Sequence, residues 1–164
     1  MPSKKAKPPV IILDVANIGS AKNLLSVFPK CIEHLRKGKV KAVRGGKKFN
    51  KELKGVTSLL SLFVELSRAN AIEKLDDSDI DDEQRRFEAL IVGEFGRKRP
   101  ECDDPHLFAL AKLANSRSVV SRDKRIALCS KCLKASNIAN SEFKCPIVVS
   151  TNQQYLNRYN KKTL

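Results

Sequence analysis

The chain has no tryptophan, two tyrosines and one methionine in 164 residues. So few aromatics exclude a platform on which unpaired bases stack, the device of many sequence-tolerant single-strand binders. Long apolar runs are missing as well. The best of them, residues 56–66, is broken by Ser58, Ser61 and Glu65, well short of the roughly 18 apolar residues of a membrane-spanning helix. No secretory leader is expected, because the apolar run after the basic residues 1–9 stops at Asp14. Acidic residues are the minority, with 18 Asp and Glu against 32 Lys and Arg and a formal net charge of +14. That imbalance points to a polyanionic partner, RNA or DNA before an anionic membrane surface. The five cysteines follow no regular, even-numbered framework. They are expected as reduced thiols of a cytoplasmic protein.

What is present suits one domain. Apolar residues make up 41% of the chain, enough for a single core of ordinary size. Residues 1–9, rich in Lys and Pro, are expected to be a disordered basic arm, and residues 10–164 one folded domain. Residues 10–13 are continuously apolar, as in a buried parallel strand. Ser20 suits a helix cap, with Leu24, Leu25 and Phe28 on that helix, and Pro29 interrupts it. Residues 39–44 alternate as a second strand would. Helical stripes follow: Leu59, Leu60, Phe63, Val64 and Leu66, then Phe87, Leu90, Ile91 and Phe95, then Leu107, Phe108, Leu110, Ala111 and Leu113. Val119–Val120 and residues 147–149 complete the strands. Strands alternating with helices predict a three-layer α/β/α domain around a mostly parallel sheet.

In such sheets function gathers at the carboxyl ends of the strands. Asp14 follows residues 10–13, and Asp123 follows Val119–Val120. Neighbouring strands lie about 4.8 Å apart, so carboxylates on their ends converge. Asp104 precedes Pro105, a pattern that opens a helix, and Glu52 lies in the helical segment 47–53. Taken singly, each acid has a mundane use as a cap or an ion-pair partner, such as Glu52 with Lys48 four residues earlier. Their order on strand ends and helix starts favours one shared acidic site.

These segments resemble the PIN-domain nucleases. The resemblance rests on residues 10–14 with Asn17 after them, on residues 45–53, on the helix start at residues 104–111, and on residues 119–124. It spans about residues 10–130. The family usually carries Asp-x-Asn at the first strand, whereas Asn17 here follows Asp14 by three. The resemblance implies a PIN-like fold and a metal-dependent endoribonuclease whose acids are Asp14, Glu52, Asp104 and Asp123, with Glu65 the fallback for the second. It also implies 5′-phosphate and 3′-hydroxyl products. Four carboxylates in one pocket need a cation, and hard oxygen ligands suit Mg²⁺ or Mn²⁺. Asp14, Asp104 and Asp123 are the expected metal ligands, with Glu52 orienting the attacking water. Asn17 and Ser121 would support them. The expected nucleic-acid contacts are Arg44, Lys47, Lys48 and Lys51 around Glu52, and Arg97, Lys98 and Arg99 before Asp104. Family members include toxins of toxin–antitoxin pairs. A small basic domain fits that role, with RNA as substrate, an antitoxin protein as partner, a homodimer as assembly and no membrane association. The competing readings are a non-catalytic basic RNA-binding module and a structure-specific DNA nuclease of the flap type.

Other signals are set aside. Cys129-x-x-Cys132 has no second paired spacing to complete a zinc site. Asp77-x-Asp79-x-Asp81 with Glu88 imitates a calcium loop but has Asp82 where the sharp turn needs Gly, and is read as a loop entering a helix. Gly45-Gly46-Lys47-Lys48 lacks P-loop spacing. His106 is expected to hydrogen-bond near its helix start rather than act as a base.

Overall fold

The computed structural model describes residues 6–98, 102, 104–134 and 146–159. The first strand, β1 (Val10–Leu13), is buried at every position, as a strand covered on both faces must be. Asp14 then caps a single turn, α1 (Val15–Ile18). Ser20 caps α2 (Ala21–Val27) by accepting from the Asn23 N–H. Pro29 opens α3 (Pro29–Arg36), where its missing N–H costs nothing. Then come β2 (Lys41–Arg44), α4 (Lys47–Lys54), α5 (Thr57–Arg68), β3 (Ile72–Lys74) and α6 (Asp77–Phe95). A 3₁₀ turn at Gly96–Lys98 follows. The second half holds α7 (Pro105–Leu113), β4 (Ser118–Val120), α8 (Lys124–Lys134), β5 (Ile147–Val149) and α9 (Asn152–Arg158). Of the basic arm, residues 6–9 reach the sheet: the Lys41 N–H donates to the Pro9 carbonyl at 3.0 Å, and Lys7 pairs with Glu73 at 3.0 Å.

The sheet is parallel throughout, in the order β3-β2-β1-β4-β5, and helices flank it in a three-layer α/β/α arrangement. The chain runs outward from β1 to β3, then returns through α6 and α7 to set β4 on the other side of β1. The order therefore reverses between β1 and β4, and a crevice opens at the carboxyl ends of such a pair. Register places Ile12 beside Val119 and Leu13 beside Val120. The Asp14 N–H donates to the Val120 carbonyl at 3.0 Å, so Asp14 and Ser121 are the first residues past the pair.

Three expectations change. Strand β3 carries one apolar residue in three and is only partly buried, so it left no apolar signal in the sequence. The acidic run at 76–83 is not a loop: Asp76 is the N-cap of α6 and accepts from the Ser78 and Asp79 N–H groups. Acids in a first turn suit the positive end of a helix. The thiols are not all reduced, because Cys102 and Cys129 form a disulfide with Cα atoms 5.6 Å apart. Free Cys31 is buried and free Cys132 exposed. Cys102, just before α7, meets Cys129 of α8, a contact between residues 27 apart in sequence that spacing alone does not reveal. The Cys129-x-x-Cys132 pair is thereby split, one sulfur buried and bonded, the other exposed and free.

Candidate functional site

The first cluster forms at the crevice. Asp14 is buried, and its Oδ2 accepts from the Ser121 hydroxyl at 2.6 Å and from the Asn17 amide at 2.8 Å. Its Oδ1 accepts from the Asn17 N–H at 3.3 Å. Asn17 stands one helical turn after Asp14, so the departure from Asp-x-Asn spacing still delivers its amide to the carboxylate. Burial pushes the Asp14 carboxyl above its ordinary range, against the hydrogen bonds from Ser121 and Asn17, and the nearby Asp104 charge adds to the rise. The Ser121 hydroxyl also accepts from the Asp123 N–H at 2.9 Å. Ser121 thus ties the two strand-end acids together.

The second cluster joins α4 to the start of α7. Asp104 occupies the N-cap position of α7, yet its carboxylate makes no capping bond. It turns instead to the Lys48 ammonium at 3.0 Å. Lys48 Nζ lies 3.9 Å from Glu52 Oε1, and Glu52 Oε2 lies 3.1 Å from His106 Nε2. His106 is 1% exposed, and its Nδ1 is buried without a hydrogen-bond partner. Ligand atoms of Glu52, Asp104 and His106 all lie within 4.8 Å of one another. Ligands opposite each other on one ion with bonds of about 2.1 Å stand about 4 Å apart, so small side-chain movements would let this trio close on a single cation. The donors fit a divalent ion: two carboxylates and one imidazole. The nitrogen favours Mn²⁺ over Mg²⁺, because imidazole suits transition metals while Mg²⁺ prefers oxygen.

The sequence-derived acids therefore divide. Asp14 and Asp104 sense each other's charge, and Asp104 and Glu52 stand together. No ligand-distance group among the described residues includes Asp14 or Asp123. The Asp123 carboxylate is engaged by the Arg125 guanidinium at 3.0 Å and by the Arg125 N–H at 2.8 Å. That pairing holds its carboxyl below the usual range. Glu65, the fallback acid, pairs with Arg36 at 2.8 Å on the surface and has no part in the site. His106 was the ligand type overlooked. Its signal was its place two residues after Asp104, in the first turn of α7. Lys48 belongs inside the acidic group rather than on a rim. Arg44, Lys47 and Lys51 line a separate cleft. Arg97 and Lys98 are exposed on the 3₁₀ turn, and Arg99 lies outside the described residues.

No helix among the described residues is long and apolar enough to cross a membrane. Comparison with protein-family models, curated proteins and solved structures returns no match for this chain.

Proposed function

We propose that this chain is a divalent-metal-dependent endoribonuclease of the PIN type. The observation that carries the reading is the convergence of Glu52, Asp104 and His106 within 4.8 Å beside a buried Asp14 at the switch crevice, in a chain of net charge +14. A bound Mn²⁺ or Mg²⁺ would supply a nucleophilic water at neutral pH and offset charge on the phosphate. The chain's own groups do the rest. Asp104 and Glu52 would hold the ion, with His106 Nε2 beside them. The His106 Nε2–H donates to Glu52 at 3.1 Å and helps to fix that carboxylate. Ser121 and Asn17 hold the Asp14 carboxylate in one orientation. Asp123 joins the site only when Arg125 releases it. Among the roles open to such a domain, the toxin of a toxin–antitoxin pair fits its size, with an acidic antitoxin over its basic surface and a homodimer as the assembly. In the cytoplasm, the compartment this reading expects, the reducing poise would act against the Cys102–Cys129 bond.

The second reading is a basic RNA-binding module without catalysis. One observation favours it: Lys48 pairs with Asp104 at 3.0 Å, so the acidic group has a counter-charge within the chain. One experiment separates the two. A long single-stranded RNA is incubated with the purified chain in Mn²⁺, in Mg²⁺ and in EDTA, alongside Asp14→Asn and Glu52→Gln. The nuclease reading expects cleavage that requires metal, runs faster in Mn²⁺ and falls at least about 100-fold in either variant. Cleavage that survives EDTA or both substitutions overturns it. RNA binding with neither cleavage nor stabilisation by Mn²⁺ selects the second reading. Running branched DNA beside the RNA tests the flap-nuclease alternative.

A further inference from the structure

Helix α4 has two functional faces. Lys48 and Glu52, one turn apart, face the acidic group. Lys47, Lys51 and Lys54 follow the i, i+4, i+7 pattern of a neighbouring face. That second face lines a cleft of about 500 Å³ at the carboxyl ends of β2 and β3, with Arg44 and Lys74 opposite. Among the described residues, five cations thus converge on one opening whose lining acid is Asp77. That acid is already committed. Its Oδ1 accepts from the Gly46 N–H at 2.8 Å and from the Asn50 amide at 3.0 Å. The Asn50 Oδ1 in turn accepts from Arg44 Nε at 3.1 Å, which sets the guanidinium at the cleft wall. Lys47 leans toward Asp81 at 3.5 Å. Lys51, Lys54 and Lys74 are exposed and enter no carboxylate ion pair among the described residues.

Like charges that outnumber the acids around a concave surface focus a positive potential there. Among the described residues no aromatic or large apolar side chain lines the cleft, and these residues offer nothing for a base to stack on. The ligand it suits is a run of phosphates. The cleft also leads toward the acidic group: a shallower groove of about 260 Å³ shares Lys47 and includes Lys48, whose ammonium touches Asp104.

We propose that this cleft holds the sugar–phosphate backbone of single-stranded RNA flanking the bond presented to the acidic group, and that Lys51, Lys54 and Lys74 are its phosphate contacts. The assignment builds on the ribonuclease reading but concerns binding alone, so its test runs without metal. Fluorescence anisotropy with a labelled single-stranded RNA in EDTA would measure affinity across 50–200 mM salt for three proteins. These are the wild type, Lys51→Ala/Lys54→Ala/Lys74→Ala, and a charge-matched control Lys22→Ala/Lys131→Ala/Lys134→Ala. Each lost phosphate contact lowers the log–log salt slope by about 0.7 for single strands, so the cleft variant should lose about 2. Its affinity at low salt should fall at least tenfold, while the control stays within about twofold of the wild type. Equal losses in the cleft variant and the control would reduce the effect to net charge and overturn the assignment. So would an unchanged cleft variant, or a wild type without salt-sensitive binding. Cleft-dependent binding by a protein that cuts no RNA in any metal would sustain the cleft and remove the nuclease.

Discussion

Replacing Lys48 with Met tests the acidic group at its centre. The substitution keeps most of the stem that packs along α4 and removes only the ammonium. In the native protein that ammonium lies 3.0 Å from Asp104 and 3.9 Å from Glu52. Without it, two carboxylates of a mostly buried group face each other across less than 4.8 Å. Two unit charges about 4 Å apart interact by about 4 kcal/mol at an effective dielectric of about 20. The Lys48 side chain is 37% exposed, against 11% for Asp104. Solvent therefore screens much of the effect, and a loss of about 1–2 kcal/mol is expected in EDTA, between the exposed and buried limits for ion pairs.

The same charge opposes a metal ion. Wherever Mn²⁺ binds between Asp104 and Glu52 it must displace Lys48 or endure its repulsion. Lys48→Met should therefore be less stable than the wild type without metal, by about 3–6 °C in melting temperature for a domain of this size. With saturating Mn²⁺ it should recover most of that deficit, because a ligand of the folded state stabilises it by mass action. Its Mn²⁺ affinity should be about tenfold higher, since 1.4 kcal/mol corresponds to a factor of ten. Differential scanning fluorimetry over a Mn²⁺ titration at low ionic strength reads both quantities. Equal responses to Mn²⁺ in the two proteins, or none in either, would refute the competition and the metal group with it.

Two further outcomes follow from Asp14 and from the disulfide. Burial raises the Asp14 carboxyl, so the folded state prefers it protonated. Its contribution to stability is complete below the unfolded-state value and is lost as pH rises through the raised folded value. Asp14→Asn should thus match the wild type near pH 3 and melt higher at pH 7–8 in EDTA. A variant that melts lower at pH 8 would show that ionised Asp14 is a net stabiliser. Cys102–Cys129 closes a loop of 27 residues' separation, for which chain entropy gives about 3.5 kcal/mol. Reduction should lower the melting temperature by about 10 °C. Thiol labelling before reduction should modify Cys132 and spare Cys102 and Cys129. An unchanged melt, or labelling of all three, would refute the bond.

Some of this was legible in residue order and some was not. Strand β1 is plain because four consecutive apolar residues end at an acid, a pattern that a buried parallel strand and its functional end share. The meeting of Asp14 with Ser121 follows from the same logic, since both stand one residue past strands that pair. Strand β3 was hidden because Ile72, Glu73 and Lys74 carry no apolar run, the signature of a short edge strand. Asp123 reads in the sequence as a ligand, and its pairing with Arg125 two residues on is visible only in the side-chain geometry. His106 and Glu52 are 54 residues apart. Their approach depends on α7 packing across α4, a tertiary fact that local periodicity does not carry.

Much therefore hangs on where α4 sits. It bears Lys48 and Glu52 toward the acidic group and Lys47, Lys51 and Lys54 toward the cleft, so neither surface moves without the other. Its inner side is anchored by Phe49 and Leu53, both fully buried, with Phe49 edge-on to Phe63 at 5.8 Å between ring centres. Its start is held more tightly still. Gly46 has φ +86°, and a Cβ there would meet Ile80 Cγ2 of α6 at 2.5 Å. The left-handed backbone and the close approach each demand glycine. The Gly46 and Lys47 N–H groups donate to Asp77 and Asp81 of α6, and α6 stacks Phe87 on Phe108 of α7. That series of contacts runs from the first turn of α4 through α6 to the helix that opens at Asp104. The geometry of Glu52 against Asp104 and His106 is thus maintained from both sides by packing, and the acid run at the head of α6 serves that purpose rather than calcium.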